Sequence, residues 1–363
     1  TELDKVQVTG TRGSLTKAQI IKETSDQIVD SIVAEDIGKL PDNNVAEALQ
    51  RISGVQITRN KGEGSDIMVR GLTQVRSELN GRDIFTANAG RSLSWEDVPA
   101  ELLGGVDVYK NPNAELIEGG LGGLVNLRTR MPFDQEGMKI TGSFTVNKWD
   151  LRDSVQPSGS LFFSNRWNTG VGEFGVAVNL AHQETEYRED RINFGSYLAF
   201  DDVPGYEGTE VVIPSEVGMY SHFGDRERDG QYIALQWRPN DDLELYATAL
   251  RSDYKFQNRE YSVRAGNFNN NAQDMVNWSG NGWGFVSPSI PGYGAFTDPF
   301  GFDADGEFQY GTFNNALVTT TSRMDWRHST TSDISLGAKW QVNDRLHVST
   351  DFQYIDATTE GVN

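Results

Sequence analysis

The chain has 363 residues, no cysteine, four histidines and a formal net charge of −20. These numbers exclude disulfides and thiolate metal sites, leave little for a histidine-rich metal or haem centre, and set the surface charge against nucleic acid. No apolar run reaches the roughly 18–20 residues of a membrane helix, which leaves strand-built membrane proteins open, because their residues alternate between lipid and lumen. Thr1 opens directly into polar sequence, so the chain reads as a mature or trimmed form.

Residues 1–133 read as a mixed α/β domain. Asp42, Asn43 or Asn44 can cap a helix whose apolar positions Val45, Ala46, Leu49 and Ile52 recur at helical spacing, with Gly54 as its stop. Short strands are expected at Val55–Thr58, Asp66–Arg70 and Gly105–Tyr109. Another, Gly123–Arg130, follows a glycine-rich turn at Gly119, Gly120, Gly122 and Gly123.

From about residue 137 helices disappear and period-two alternation takes over. Met138, Ile140, Phe144 and Val146 face one way, with Lys139, Thr141, Ser143 and Thr145 the other. Leu161, Phe163 and Trp167 follow the same rule, as do Ile233, Leu235 and Trp237, then Ile334, Leu336 and Trp340, then Leu346, Val348, Phe352 and Tyr354. Leu243–Ser252 alternates less cleanly. About seven strands are expected. Short turns fall near Asn168–Gly172, Pro239–Asp242 and Asn343–Arg345, and long connections near 188–228 and 262–316. Short turns at one end and long loops at the other fit an outer-membrane barrel. Trp149, Trp167, Trp237 and Trp340 sit at or near strand ends, where interface aromatics gather. A soluble antiparallel sandwich also alternates, but accounts less well for the short–long order of the connections.

Four segments carry a resemblance to the TonB-dependent receptors. They are Asp4-Lys5-Val6-Gln7-Val8-Thr9-Gly10, similar to a TonB box; Asn44–Val55; Ile67-Met68-Val69-Arg70-Gly71-Leu72 with Leu79-Asn80-Gly81-Arg82; and Val106–Pro112 with Gly119–Leu127. Ile37–Val45 resembles a proteobacterial subgroup often associated with carbohydrate uptake. The resemblance implies an α+β plug domain followed by antiparallel transmembrane β-barrel strands, as the incomplete N-terminal part of a barrel of about 22 strands. It implies a TonB box over 1–12, a plug over 13–133 and barrel strands over 134–363. It also implies residence in the bacterial outer membrane among its lipids, and energy coupling through TonB with ExbB and ExbD. A surface lipoprotein is a further possible partner, and no nucleic acid or cofactor is expected.

The residue roles follow from that resemblance. Asp4, Lys5, Val6, Gln7, Val8 and Thr9 form a short extended segment that, in the context of the resemblance, can add as a strand to TonB; on spacing alone the segment reads as an ordinary flexible terminus. Arg70 and Arg128 lie on expected plug strands, and plug arginines of the family pair with barrel carboxylates; on an ordinary domain they are surface arginines. Substrate contact is expected from the aromatic and asparagine-rich stretch 263–315, with Trp278, Trp283, Tyr293 and Phe296 as candidates. Such aromatics also pack a long loop on itself. Arg59, Asn60 and Trp95 are candidates at the plug apex. Asp303–Glu307 resembles a fragment of a calcium loop but reads better as an acidic turn, so no metal ligands are assigned. No nucleophile elbow, HExxH motif or P-loop occurs, and no catalytic residues are assigned. The expected function is TonB-dependent import of an oligosaccharide. The alternatives are a same-fold receptor for a siderophore, cobalamin or peptide, and a surface receptor or adhesin that does not transport.

Overall fold

The computed structural model describes residues 18–33, 44–87, 93–111, 113–114, 116–200, 206, 208–266, 300–311 and 317–362. Two compact units divide the chain: Thr1–Tyr187 with Gly224–Gln257 and Asp325–Asn363, and Arg188–Phe223 with Asn258–Met324.

The first unit contains the N-terminal α/β domain. A helical segment α1 (18–24) precedes strand β1 (Val29–Val33) and helix α2 (Val45–Leu49). Asn44 is the cap of α2: its carboxamide oxygen accepts from the Glu47 backbone N–H at 3.2 Å. Its Nδ2 donates to the Gly64 carbonyl at 2.7 Å, so one side chain both starts the helix and fastens it to the next hairpin. Asn44→Ala is therefore expected to cost about 1–2 kcal/mol, read as a lowered thermal midpoint. The helix is shorter than its apolar spacing suggests. It stops at Leu49, and a turn through Gly54 at φ +75° carries Ile52 into the core.

That hairpin pairs β2 (Val55–Asn60) with β3 (Glu63–Val69). The main sheet of the domain has the order β1-β6-β7-β4-β5, adding β4 (Val75–Leu79), β5 (Arg82–Asp83), β6 (Leu103–Tyr109) and β7 (Gly123–Thr129). β4 and β7 pair in parallel, and the other pairs are antiparallel. No alternation announces β4, because Arg76, Ser77 and Glu78 fill its middle. Their polar groups are met locally, by Arg76 on Glu78 at 3.2 Å and Ser77 on the Ile84 carbonyl at 2.9 Å.

Seven long strands follow as a meander: β8 (Lys139–Trp149), β9 (Ser154–Thr169), β10 (Gly172–Phe194), β13 (Glu216–Asn240), β14 (Leu243–Gly266), β17 (Leu317–Asn343) and β18 (Leu346–Val362). All three expected short turns stand where the sequence puts them. The long connections do not start where expected. β10 runs on to Phe194 and β13 begins at Glu216, inside 188–228. In stretches such as Arg188–Asn193 both faces are largely polar, so the hydropathy signal fades while the backbone ladder continues.

Within the first unit the strands have two unlike faces. On β13, Ile233 and Leu235 are 43% and 50% exposed, whereas Tyr232 and Ala234 are buried. Phe144, Leu161, Leu180, Ile334, Leu336 and Phe352 are exposed as well. A soluble monomer rarely leaves so broad an apolar face uncovered. The opposite face joins the core of the α/β domain: Phe162, Ala177, Ala181, Tyr232, Ala234 and Leu250 cluster with residues such as Leu102, Val106 and Leu127. Contact is close at Gly230, where an added Cβ lies 2.7 Å from Leu102 Cδ1 and 3.0 Å from Pro99 Cγ. Gly230→Val is expected to destabilise this packing by about 1–3 kcal/mol, seen as faster proteolysis of residues 93–111.

The second unit holds the remaining parts of β10, β13, β14 and β17 and two small hairpins. β11 (Tyr197–Phe200) pairs with β12 (Val211–Pro214), and β15 (Phe300–Phe302) with β16 (Phe308–Gly311). The Val212 N–H donates to the Gly306 carbonyl at 2.8 Å and joins the two hairpins. Asp303–Glu307 is the tight turn of the second hairpin. Asp303 Oδ1 accepts from the backbone N–H groups of Asp305 and Glu307 at 3.0 and 2.8 Å.

Candidate functional site

Where the long strands meet the α/β domain, three arginines on the strands face three carboxylates on the domain. Arg226 and Arg228 stand two residues apart on β13, so both side chains fall on the same face. Their sequence context, Asp225-Arg226-Glu227-Arg228-Asp229, alternates charge with period two. The bases therefore turn toward the domain and the acids turn away. Arg327 comes from β17. Opposite them are Glu63, at the start of β3, and Glu96 and Asp97, in the turn before a short 3-10 helix at Ala100–Leu102.

Glu63 is 3% exposed and is the most densely contacted of these acids. Arg228 donates to its Oε2, Arg226 Nη1 lies 3.7 Å from Oε1, and the Thr185 hydroxyl donates to Oε1 at 2.9 Å. Arg226 also donates to the Asn60 carbonyl at 2.9 Å. Arg228 reaches the Glu96 carbonyl and donates to Gln183 Oε1 at 3.1 Å. Burial raises the Glu63 pKa, but the Arg228 and Arg226 charges and the hydrogen bonds outweigh it, and the net shift is down.

The second cluster closes through Arg327, whose Nη2 lies 2.7 Å from Glu96 Oε1 and 3.0 Å from Asp97 Oδ1. Ser252 donates to the Asp97 carbonyl at 2.6 Å. Asp97 behaves unlike Glu63. Burial dominates, Glu96 adds a like charge, and Arg327 offsets only part, so its pKa rises to about 6. A short ion pair with Arg327 would ordinarily pull it down. The balance goes the other way because the cation is shared between two acids while Asp97 is 2% exposed.

Neutral contacts extend the interface. Tyr232 donates to Thr129 Oγ1 at 2.8 Å, and Asn179 Nδ2 donates to the Glu101 carbonyl at 2.7 Å. The arrangement is a latch: complementary buried charges that hold two bodies, each side costly to strip of its partner.

Other expected residues fall elsewhere. Arg128 pairs with Asp107 on β6 at 2.6 and 3.1 Å, so it braces the sheet of its own domain. Arg70 follows β3 at φ +54°, is exposed, and forms no ion pair with a described residue. Neither arginine meets a carboxylate of the long strands among the described residues. The buried pairs have the arginines on the strands and the carboxylates on the domain, while a more exposed pair, Arg82 Nε with Asp351 Oδ1 on β18 at 3.4 Å, has the expected sense. Arg59 binds Glu47 at 2.7 Å and Gln50 at 3.2 Å, tying the β2–β3 hairpin to α2. Asn60 contributes its carbonyl to Arg226. Trp95 is 5% exposed and belongs to the core, so its ring is not offered to a ligand. Asp4–Thr9, Trp278, Trp283, Tyr293 and Phe296 lie outside the described residues.

The family model for the TonB-dependent Receptor Plug Domain matches residues 21–124. The α/β domain is therefore a plug domain of the TonB-dependent receptor type. The long antiparallel strands follow that domain in the chain. The Vitamin B12 transporter BtuB of Vibrio cholerae is 27% identical over 135 residues, which is 35% of this chain and 22% of that relative. The match therefore spans about a fifth of the curated relative. Among solved structures, the siderophore receptor PirA from Acinetobacter baumannii is 14% identical with a TM-score of 0.37, covering 95% of this chain and 59% of that one. The alcaligin outer-membrane receptor FauA from Bordetella pertussis is 12% identical with a TM-score of 0.36, covering 93% and 56%.

Proposed function

We propose that the protein imports an oligosaccharide across the outer membrane, powered through TonB with ExbB and ExbD. The observation that carries this reading is the latch: plug carboxylates buried on barrel arginines, a contact that holds at rest and can be broken by a pull on the plug. Asp4–Thr9 are assigned the TonB-binding strand. Trp278, Trp283, Tyr293 and Phe296 are assigned to cargo contact, where flat aromatic faces suit sugar rings. The likeness of Ile37–Val45 to carbohydrate-uptake receptors favours sugar. The partial likeness to a vitamin B12 transporter favours cobalamin as the second reading.

The test is uptake by cells of labelled oligosaccharides, a ferric siderophore and cyanocobalamin, with and without TonB. Accumulation of an oligosaccharide that stops without TonB or on deletion of residues 4–9 is expected. TonB-dependent uptake of cyanocobalamin alone selects the second reading, and equal uptake in the absence of TonB removes both.

A further inference from the structure

The two parts of the latch are not independent. Tyr254 on β14 is fully buried. Its ring lies in cation–π range of two guanidinium groups, with centroid distances of 5.0 Å to Arg228 and 4.9 Å to Arg327. Arg228 serves Glu63; Arg327 serves Glu96 and Asp97. The Tyr254 hydroxyl has no hydrogen-bond partner among the described residues, so the ring, not the hydroxyl, is what the site uses. Arg228 adds a second link, since it also donates to the Glu96 carbonyl.

Two like charges brought to one buried position repel each other. A π system between them attracts both, and its attraction grows as water is excluded. Losing Glu63 from Arg228 shifts the balance on that cation and, through the shared ring, on its neighbour. Residues in one contact network are where additivity fails.

We propose that Tyr254 is a positioning residue that couples the Glu63 latch to the Glu96–Asp97 latch, so that the plug is held and released at both together. This rests on the reading of the contact as a releasable latch. A second copy or a ligand is not required: all participants are side chains of this chain, on β3, the Ser94–Pro99 turn, β13, β14 and β17.

The experiment is a double-mutant cycle on the full-length protein in planar bilayers, reading the urea dependence of plug release as channel opening. Glu63→Gln and Asp97→Asn are combined in three backgrounds: Tyr254, Tyr254→Phe and Tyr254→Ala. With Tyr254, the double variant should depart from the product of the single effects by about fivefold in the release equilibrium, within the range for groups sharing one network. Tyr254→Phe should preserve that departure, and Tyr254→Ala should cut it to the part carried by the Arg228–Glu96 carbonyl link; an undiminished departure in Tyr254→Ala would overturn the role given to the ring. Retention of heat-modifiable barrel mobility on gels confirms that each variant has folded. Independent effects with Tyr254 present would overturn the coupling while leaving the latch intact. Loss of coupling in Tyr254→Phe would overturn the role given to the ring. If neither single variant shifts release, the latch itself is wrong, and the coupling falls with it.

Discussion

Replacing Arg228 by alanine is expected to unseat the plug. The side chain is fully buried, and the acid it leaves behind is only 3% exposed. Glu63 would keep only Thr185 and the more distant Arg226, while the Glu96 carbonyl and Gln183 would lose their donor. Breaking one side of a buried ion pair costs about 3–5 kcal/mol, or roughly a hundredfold to several thousandfold in the docking equilibrium. Arg228→Lys should recover part of this, because it restores the charge without the planar fork that serves three acceptors. The check is the urea midpoint of channel opening in planar bilayers. It should fall strongly for Arg228→Ala and less for Arg228→Lys. Arg70→Ala and Arg128→Ala, which touch no barrel carboxylate among the described residues, should leave plug release close to wild type by the same measure.

The second large effect is on pH, and its sign is unusual. Asp97 has a pKa raised to about 6 in the docked plug. A carboxyl raised above its ordinary value of 3.8 contributes stability that is complete below that value and is lost as pH rises through about 6. The groups facing it are Arg327, Glu96, Ser94 and, further off, Arg228. When Asp97 takes up a proton, Arg327 keeps Glu96, so no cation is stranded. Glu101 and Glu78 are also raised by burial and act in the same sense. Glu63 and Asp30 are lowered and act oppositely, with stability lost as pH falls through their depressed values, below the ordinary carboxylate range. Between pH 7 and pH 5 the raised groups govern. The plug should therefore release at higher urea at pH 5 than at pH 7, and Asp97→Asn should flatten most of that difference. A midpoint that falls on acidification to pH 5 would contradict this assignment.

Much of the architecture can be read directly from residues. Ile233, Leu235 and Trp237, or Ile334 and Leu336, announce barrel strands by period two, and all three short turns are marked by Gly, Asn, Pro or Asp. The α2 helix is visible because Asn44 precedes an apolar face at helical spacing. Other features are hidden for physical reasons. β4 is buried with Arg76 and Glu78 inside it, so its pairing defeats hydropathy. Arg188–Asn193 continues a strand whose two faces are both polar, and alternation has nothing to alternate. The latch had a signal that hydropathy does not weigh: Asp225–Asp229 places bases on one face of a strand and acids on the other. Glu63, Glu96 and Asp97 had none, because a buried acid differs from the other 49 Asp and Glu residues of the 52 only through the arginine that meets it in the fold.

The proposed import requires the plug to leave its seat on the long strands for cargo to pass. The chain has no cysteine of its own, so a tether can be placed cleanly. Gly230 and Leu102 suit one, since an added Cβ at Gly230 lies 2.9 Å from Leu102 Cγ. That puts two cysteine Cβ atoms there within reach of the roughly 3.5–4.5 Å that a disulfide needs. The decisive measurement is TonB-dependent uptake by cells carrying Leu102→Cys with Gly230→Cys. Uptake blocked under oxidation and restored by a reductant is the predicted result. Full uptake with the disulfide intact would contradict it.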